Sequence, residues 1–134
     1  MRRLPLLVLV LTTAAGAALS AHLKVHKTMP ATGGVMAAAP KQIQVWFTEP
    51  PTLAVSAIVL EGASGKVELG KLALGRINNE TDKSIVCDIV GTLAPGKYTV
   101  SWRTSGADGH MLTGSFEFAV KLRSVGLAFG GSHP

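Results

Sequence analysis

The two residues most suited to chemistry, Asp108 and His110, are separated by a single glycine within residues 105–114. If this segment is extended, the carboxylate and the imidazole point to the same side, because side chains alternate between the two faces of a strand. Gly109 leaves the backbone free to bend, so that both groups can reach one atom. This pair predicts part of a metal site. A metal held by equatorial nitrogen and oxygen atoms needs about three or four donors, so the rest of the chain must supply more.

Residues 1–21 match the pattern of a secretory signal peptide. Two arginines near the start are followed by an apolar run at residues 4–11 and by small residues up to Ala21. These correspond to the basic, hydrophobic and cleavage regions of such a leader. The apolar run is shorter than the ~20 residues that a membrane-spanning helix needs. We therefore expect the leader to be removed on export rather than kept as an anchor.

Cleavage after Ala21 would make His22 the first residue of the mature protein. Its α-amine and a ring nitrogen could then bind one ion as a chelate. Because the reference pKa of an α-amine is about 7.7–8.0, a divalent metal displaces its proton readily near neutral pH. Cleavage after Ser20 would remove this arrangement, and we expect the cut after Ala21. His22 is therefore a candidate metal ligand beside Asp108 and His110.

Composition limits the class of protein. Without the leader, the chain has the size of one ordinary domain. The formal net charge of +5 includes the two leader arginines, and the other positive charges are spread along the chain. Nucleic-acid binding would require a clustered basic stripe, so no nucleic-acid partner is expected. The single cysteine, Cys87, shares a predicted strand face with Ile85 and Ile89, which indicates a small buried side chain.

The spacing of apolar residues predicts a protein built from strands. In residues 41–48, Ile43, Val45 and Phe47 alternate with other residues, which is the period of two of a half-buried strand. Residues 63–65 and 78–82 have the composition of turns. The other predicted strands are residues 23–28, 54–61, 66–69, 72–75, 83–90, 98–103 and 113–120.

These short strands, without a helical period between them, predict an all-β fold: an antiparallel sandwich of two sheets. The segment that carries Asp108 and His110 would join the last two strands. Residues 22–121 form the predicted domain, and the glycine-rich residues 122–134 are expected to be a flexible tail.

Two further side chains could approach the metal. Glu49 directly precedes Pro50 and Pro51, which end the strand because proline cannot donate a ladder hydrogen bond. Its carboxylate is thus held at a strand end. His26 lies on the same side of the first strand as His22, but ~13 Å of strand rise separates them. We expect His26 to be a solvated surface residue.

Several segments resemble those of the family of CopC, the periplasmic copper-resistance protein. The likeness covers nearly all of the predicted mature chain, and the Asp-Gly-His motif together with a terminal histidine is its most specific part. The segments concerned are residues 22–30 (HLKVHKTMP), 45–49 (VWFTE), 93–103 (LAPGKYTVSWR) and 105–118 (SGADGHMLTGSFEF).

The resemblance implies a Greek-key β-sandwich or barrel of immunoglobulin-like type, with about seven strands. It implies one Cu(II) ion per chain, bound by the terminal amine and imidazole of His22, by Asp108 and by His110. Glu49 matches a residue that accepts a hydrogen bond from the amine and orients it. The protein would be periplasmic and not an enzyme, and it would buffer copper or deliver it to an inner-membrane copper transporter of the CopD type.

Methionines mark one departure from some family members, which carry a methionine-rich loop that binds Cu(I) through thioethers. The corresponding residues 60–69 contain no methionine. The soft thioether ligands that would select Cu(I) are therefore missing from this segment. Met111, next to the candidate site, is expected to pack rather than to act as an axial ligand.

Two alternative functions stay open at this point. The first is a copper-dependent oxidative enzyme, because an amine with two imidazoles is similar to the histidine brace of lytic polysaccharide monooxygenases. An anionic Asp108 on the metal would favour Cu(II) and oppose redox cycling. The second is a metal-free structural or adhesion domain, which would have no need of Asp108 and His110 beside a terminal His22.

Overall fold

Strands make up most of the part of the chain that the computed structural model describes, residues 23–122. The predicted leader, His22 and residues 123–134 lie outside this range. One 3₁₀ turn, Leu53–Val55, is present within it, and none of the helices in the described range is long and apolar enough to cross a membrane. The strands are β1 (Val25–Met29), β2 (Val35–Met36), β3 (Gln42–Phe47), β4 (Ala57–Gly62), β5 (Gly65–Val67), β6 (Ala73–Ile77), β7 (Glu80–Asp88), β8 (Gly96–Ser105) and β9 (Met111–Val120).

The strands form two sheets around one core. A four-stranded sheet has the order β1-β3-β7-β6, and a five-stranded sheet has the order β2-β9-β8-β4-β5. All pairings are antiparallel except that of β2 with β9, where Val35 lies opposite Ala119 in a parallel register. The predicted all-β sandwich is confirmed. The described range contains nine strands rather than about seven, and two of them, β2 and β5, have only two and three residues.

The inner faces of the two sheets are the ones that the alternating pattern predicts. Phe47 of the four-stranded sheet packs edge-on against Trp102 of the five-stranded sheet, with ring centroids 5.2 Å apart. Burying one such side chain stabilises the fold by about 1.5–3 kcal/mol. The buried residues that follow the period of two along the predicted strands are Ile43, Val45, Phe47, Ile85, Cys87, Ile89, Tyr98, Val100, Trp102, Phe116, Phe118 and Val120.

The start of the domain differs from the predicted strand at residues 23–28. Strict alternation along residues 23–28 would place Leu23 and Val25 on one face, but Leu23 is 4% exposed and Val25 is 39% exposed. Leu23 precedes β1, so the alternation of the strand does not set its direction. The pairing of β1 with β3 also shifts by a residue between Val25 and Lys27, which is a bulge that reorients the side chains after Val25. The strand itself begins at Val25.

Other observed boundaries also differ from the predicted ones. The predicted strand at 54–61 begins with the 3₁₀ turn, and pairing with β8 starts only at Ala57, opposite Arg103. Residues 78–82 were expected to form a turn, but the turn consists of Asn78 and Asn79 alone. Both have positive φ, 51° and 67°, as in the two-residue turn that suits the twist of a hairpin.

Candidate metal centre

Asp108 and His110 lie in the connection between β8 and β9, at one end of the sandwich. The strands pair up to Ser105 and Met111, so residues 106–110 form the whole connection. The backbone N–H of Gly109 donates to the carbonyl of Gly106 over 3.1 Å, which closes a tight turn. Gly109 has φ of +77°, a left-handed conformation that glycine adopts at little cost. The predicted placement between the last two strands is confirmed.

The carboxylate of Asp108 makes two contacts with His110. Its Oδ1 accepts a hydrogen bond from the backbone N–H of His110 over 3.1 Å, and its Oδ2 lies 3.0 Å from Nδ1 of the ring. A carboxylate at one ring nitrogen fixes the tautomer and leaves the lone pair on the other. Nε2 of His110 is then the ring nitrogen that can bind a metal. Both side chains face solvent, with 48% of Asp108 and 81% of His110 exposed.

Glu49 and Leu23 approach the same turn from the other sheet. A Cβ atom added to Gly106 would lie 3.5 Å from Oε2 of Glu49, 3.5 Å from Cβ of Leu23 and 3.7 Å from Oδ1 of Asp108. The three side chains therefore surround one buried glycine. The structure brings the predicted accessory carboxylate of Glu49 beside the predicted ligand Asp108.

Backbone contacts hold Leu23 and Glu49 at this place. The N–H of Lys24 donates to the hydroxyl of Thr48 over 3.0 Å, and the N–H of Thr48 donates to the carbonyl of Lys24 over 2.9 Å. Leu23 is part of the hydrophobic core. The start of the domain is thus fixed against the end of β3, immediately before Glu49.

The other chemically active side chains lie elsewhere. His26 is exposed, as expected, and lines a depression with Trp46 and Asp82. Cys87 is buried between the sheets, and its burial raises the pKa of the thiol from 9.0 to about 11, with the nearby charge of Asp88 adding to the effect. Met111 was expected to pack, but half of it is exposed, because it stands at the first position of β9.

Residues 23–122 contain no group of three or more histidine, cysteine, aspartate or glutamate side chains arranged to hold a metal. They contribute the pair Asp108 and His110, the same two-ligand fragment that the sequence indicates. His22, the third predicted ligand, lies outside the described residues.

Sequence reasoning missed one set of polar residues behind this pair. Thr104 and Ser105, at the end of β8, are buried, and they hydrogen-bond to the segment that follows Glu49. The only sequence signal was the change from large apolar residues to hydroxyl residues at the end of this strand.

Comparisons with known proteins point to one family. The sequence model of the CopC domain matches residues 25–121. Protein YobA of Escherichia coli strain K12 is 31% identical over 101 residues, which cover 75% of this chain and 80% of YobA. The solved structure of PcoC, a methionine-rich copper resistance protein from Escherichia coli, is 32% identical with a TM-score of 0.66, covering 75% of this chain and 100% of PcoC. CopC from Methylosinus trichosporium OB3b is 25% identical with a TM-score of 0.64, covering 76% of this chain and 96% of that structure.

Proposed function

The chain belongs to the CopC family, and on this basis we propose that it is a periplasmic copper-binding protein that serves copper resistance or homeostasis. It binds one Cu(II) ion and either buffers the ion or delivers it to an inner-membrane copper transporter. The observation that carries the proposal is the contact between Asp108 and His110, beside Glu49 and Leu23.

Asp108 and His110 supply two of the donor atoms. His110 provides Nε2, because Nδ1 lies against the carboxylate. A carboxylate has about four lone-pair positions, so Asp108 can accept both hydrogen bonds from His110 and still bind an ion. The anionic donor also favours Cu(II) over Cu(I), which supports a carrier rather than an oxidative enzyme.

The remaining donors are the α-amine and imidazole of His22, exposed as the first residue after cleavage behind Ala21. Support comes from its covalent neighbour Leu23, which is buried beside Gly106 and close to Asp108. Consecutive Cα atoms are only ~3.8 Å apart. In this assignment the carboxylate of Glu49 accepts a hydrogen bond from the amine and orients it.

The donor set selects the metal. It consists of nitrogen and oxygen atoms without a thiolate or thioether, and divalent copper binds such sites more tightly than zinc does. Cys87 contributes nothing to the set because its side chain is buried in the core.

The test is a Cu(II) titration of the protein that begins at His22, followed by electron paramagnetic resonance. We expect one copper signal that saturates at one ion per chain and survives an equal concentration of Zn(II). Displacement of copper by equimolar Zn(II), or saturation at a different ratio, would contradict the proposal. The double variant Asp108→Ala/His110→Ala is the control, and it should lose the spectrum of the bound ion and show only that of Cu(II) in solution. Retention of the signal would place the ion elsewhere.

A further inference from the structure

The connection between β3 and β4 crosses from the four-stranded to the five-stranded sheet and carries Glu49. It is attached to the end of β8 by hydrogen bonds. The backbone N–H of Thr52 donates to the carbonyl of Ser105 over 2.9 Å, and the hydroxyls of Ser56 and Thr104 lie 2.7 Å apart. Ser105 directly precedes the turn that carries Asp108. The two halves of the candidate site are therefore joined at these residues.

The direction of the hydroxyl pair follows from proton counting. The hydroxyl of Ser56 donates to the carbonyl of Thr52 over 2.7 Å, and a hydroxyl has only one proton to donate. Thr104 must therefore be the donor to Ser56. The chain of hydrogen bonds runs from Thr104 through Ser56 to Thr52.

Because Thr104 is buried, this series of hydrogen bonds depends on its hydroxyl. The residue is 0% exposed, so water cannot take the place of its hydroxyl partner without entering the core. A buried hydroxyl without a partner is unfavourable, because its lost hydrogen bonds to water are not replaced. Ser56 is only partly buried, and water can reach it.

We infer that Thr104 is a positioning residue for the copper ion: it fixes the Asp108 turn relative to the connection that carries Glu49. Thr104 lies four positions before Asp108. The series of hydrogen bonds that starts at Thr104 ends at Thr52, three positions after Glu49. This inference rests on the proposed function. It concerns the position of Asp108 relative to Glu49, which orients the amine, and Thr104 itself is not a donor to the ion.

Thr104→Val tests the inference, because valine has the shape of threonine without the donor. We expect Cu(II) affinity to fall on the order of tenfold, the lower end of what is lost when groups behind metal ligands are removed. The copper hyperfine splitting should change as well, because the donors relax to a new spacing. Thr104→Ser keeps the donor and should restore the affinity and the spectrum of the original protein.

Tyr98→Phe is the matched control. Tyr98 also lies on β8 and is buried, and its hydroxyl donates to the carbonyl of Ala94 over 2.6 Å. Its position is ~20 Å along the strand from Thr104. This variant should lower the melting temperature without altering the copper spectrum.

The outcomes separate the two hypotheses. If His110→Ala and Asp108→Ala both keep the bound-copper spectrum of the original protein, the proposed function fails. If those variants behave as expected but folded Thr104→Val keeps the original affinity and spectrum, the positioning role is overturned and the copper site stands. Should Thr104→Val fail to fold, Ser56→Ala removes the same hydrogen bond from a partly exposed position, and its spectrum decides by the same criterion.

Discussion

Oδ2 of Asp108 lies 3.0 Å from Nδ1 of His110, while Oδ1 of the same carboxylate accepts the backbone N–H of that histidine. The two residues therefore act as one unit, in which the aspartate sets the orientation and tautomer of the ring. In the proposed copper site the carboxylate therefore has two separable roles, as an anionic donor to the ion and as a holder of the imidazole.

The first prediction separates these roles. In Asp108→Asn the amide oxygen can still accept a hydrogen bond from His110, but the negative charge is gone. We expect Cu(II) affinity to fall at least as much as the roughly 10–100-fold that is lost when a group behind a metal ligand is changed. The affinity of Asp108→Ala, which removes both roles, should fall further. Competition with a chelator of known affinity measures both. His26→Ala is the control and should bind like the original protein, and an equal loss in that variant would mean that His26 is a ligand.

The second prediction concerns the terminus. One extra residue ahead of His22 turns its α-amine into an amide, which gives up its proton far less readily, although every side chain is retained. Copper binding should weaken strongly, with a changed paramagnetic resonance spectrum and an unchanged melting temperature without copper. The intact mass of the exported protein checks that cleavage follows Ala21. Unchanged affinity of the extended protein would show that the amine is not a ligand.

The third prediction uses the close packing of Gly114 under Trp102. A Cβ atom at Gly114 would lie 2.7 Å from Cε2 of the indole, and Phe47 on the other sheet limits movement of the ring. Gly114→Ala should therefore cost about 1–3 kcal/mol of unfolding free energy, as overpacking does. At Gly70 a Cβ atom would make only ordinary contacts, 3.5 Å or longer. Gly70→Ala is the control, expected within about 0.5 kcal/mol, and equal urea midpoints for the two variants would refute the packing argument.

The fourth prediction follows from the thiol of Cys87, whose pKa is raised from 9.0 to about 11 by burial and by Asp88. The folded chain holds the proton more tightly than the unfolded chain, so this group contributes its full stability below pH 9. The contribution is lost as the pH rises from about 9 to about 11. The difference in unfolding free energy between the original protein and Cys87→Ala should shrink across that window. Parallel pH profiles would show that the thiol titrates normally, and copper binding by Cys87→Ala should be unchanged.

The core could be predicted because its signal is local. Ile43, Val45 and Phe47 alternate strictly, and both faces of the strand then follow from the geometry of extended backbone. The short parallel pair of β2 with β9 leaves no such signal, since Val35 and Met36 become a strand only through the position of Ala119 and Val120 far along the chain.

The candidate site likewise combines a local contact that the sequence predicts with contacts that depend on the fold. Asp108 and His110 are two residues apart, so their contact needs only a turn. Glu49 and Leu23 reach the turn because β1 pairs with β3 at the edge of the four-stranded sheet. The spacing of residues in the sequence does not indicate this pairing. The hydroxyl pair of Ser56 and Thr104 likewise arises from the pairing of β4 with β8, strands that are far apart in the sequence, where Ala57 lies opposite Arg103.

The exposure of His110, 81% of its side chain, bears on how fast an ion could leave. A metal sealed in a core departs only as quickly as the surrounding structure opens. At an exposed turn, the donors of a second protein can enter the coordination sphere one at a time while the first donors depart. Departure of the proposed copper ion would then be an associative ligand exchange through a shared complex. Its rate would rise with the concentration of the acceptor, and no strand of the sandwich would have to separate.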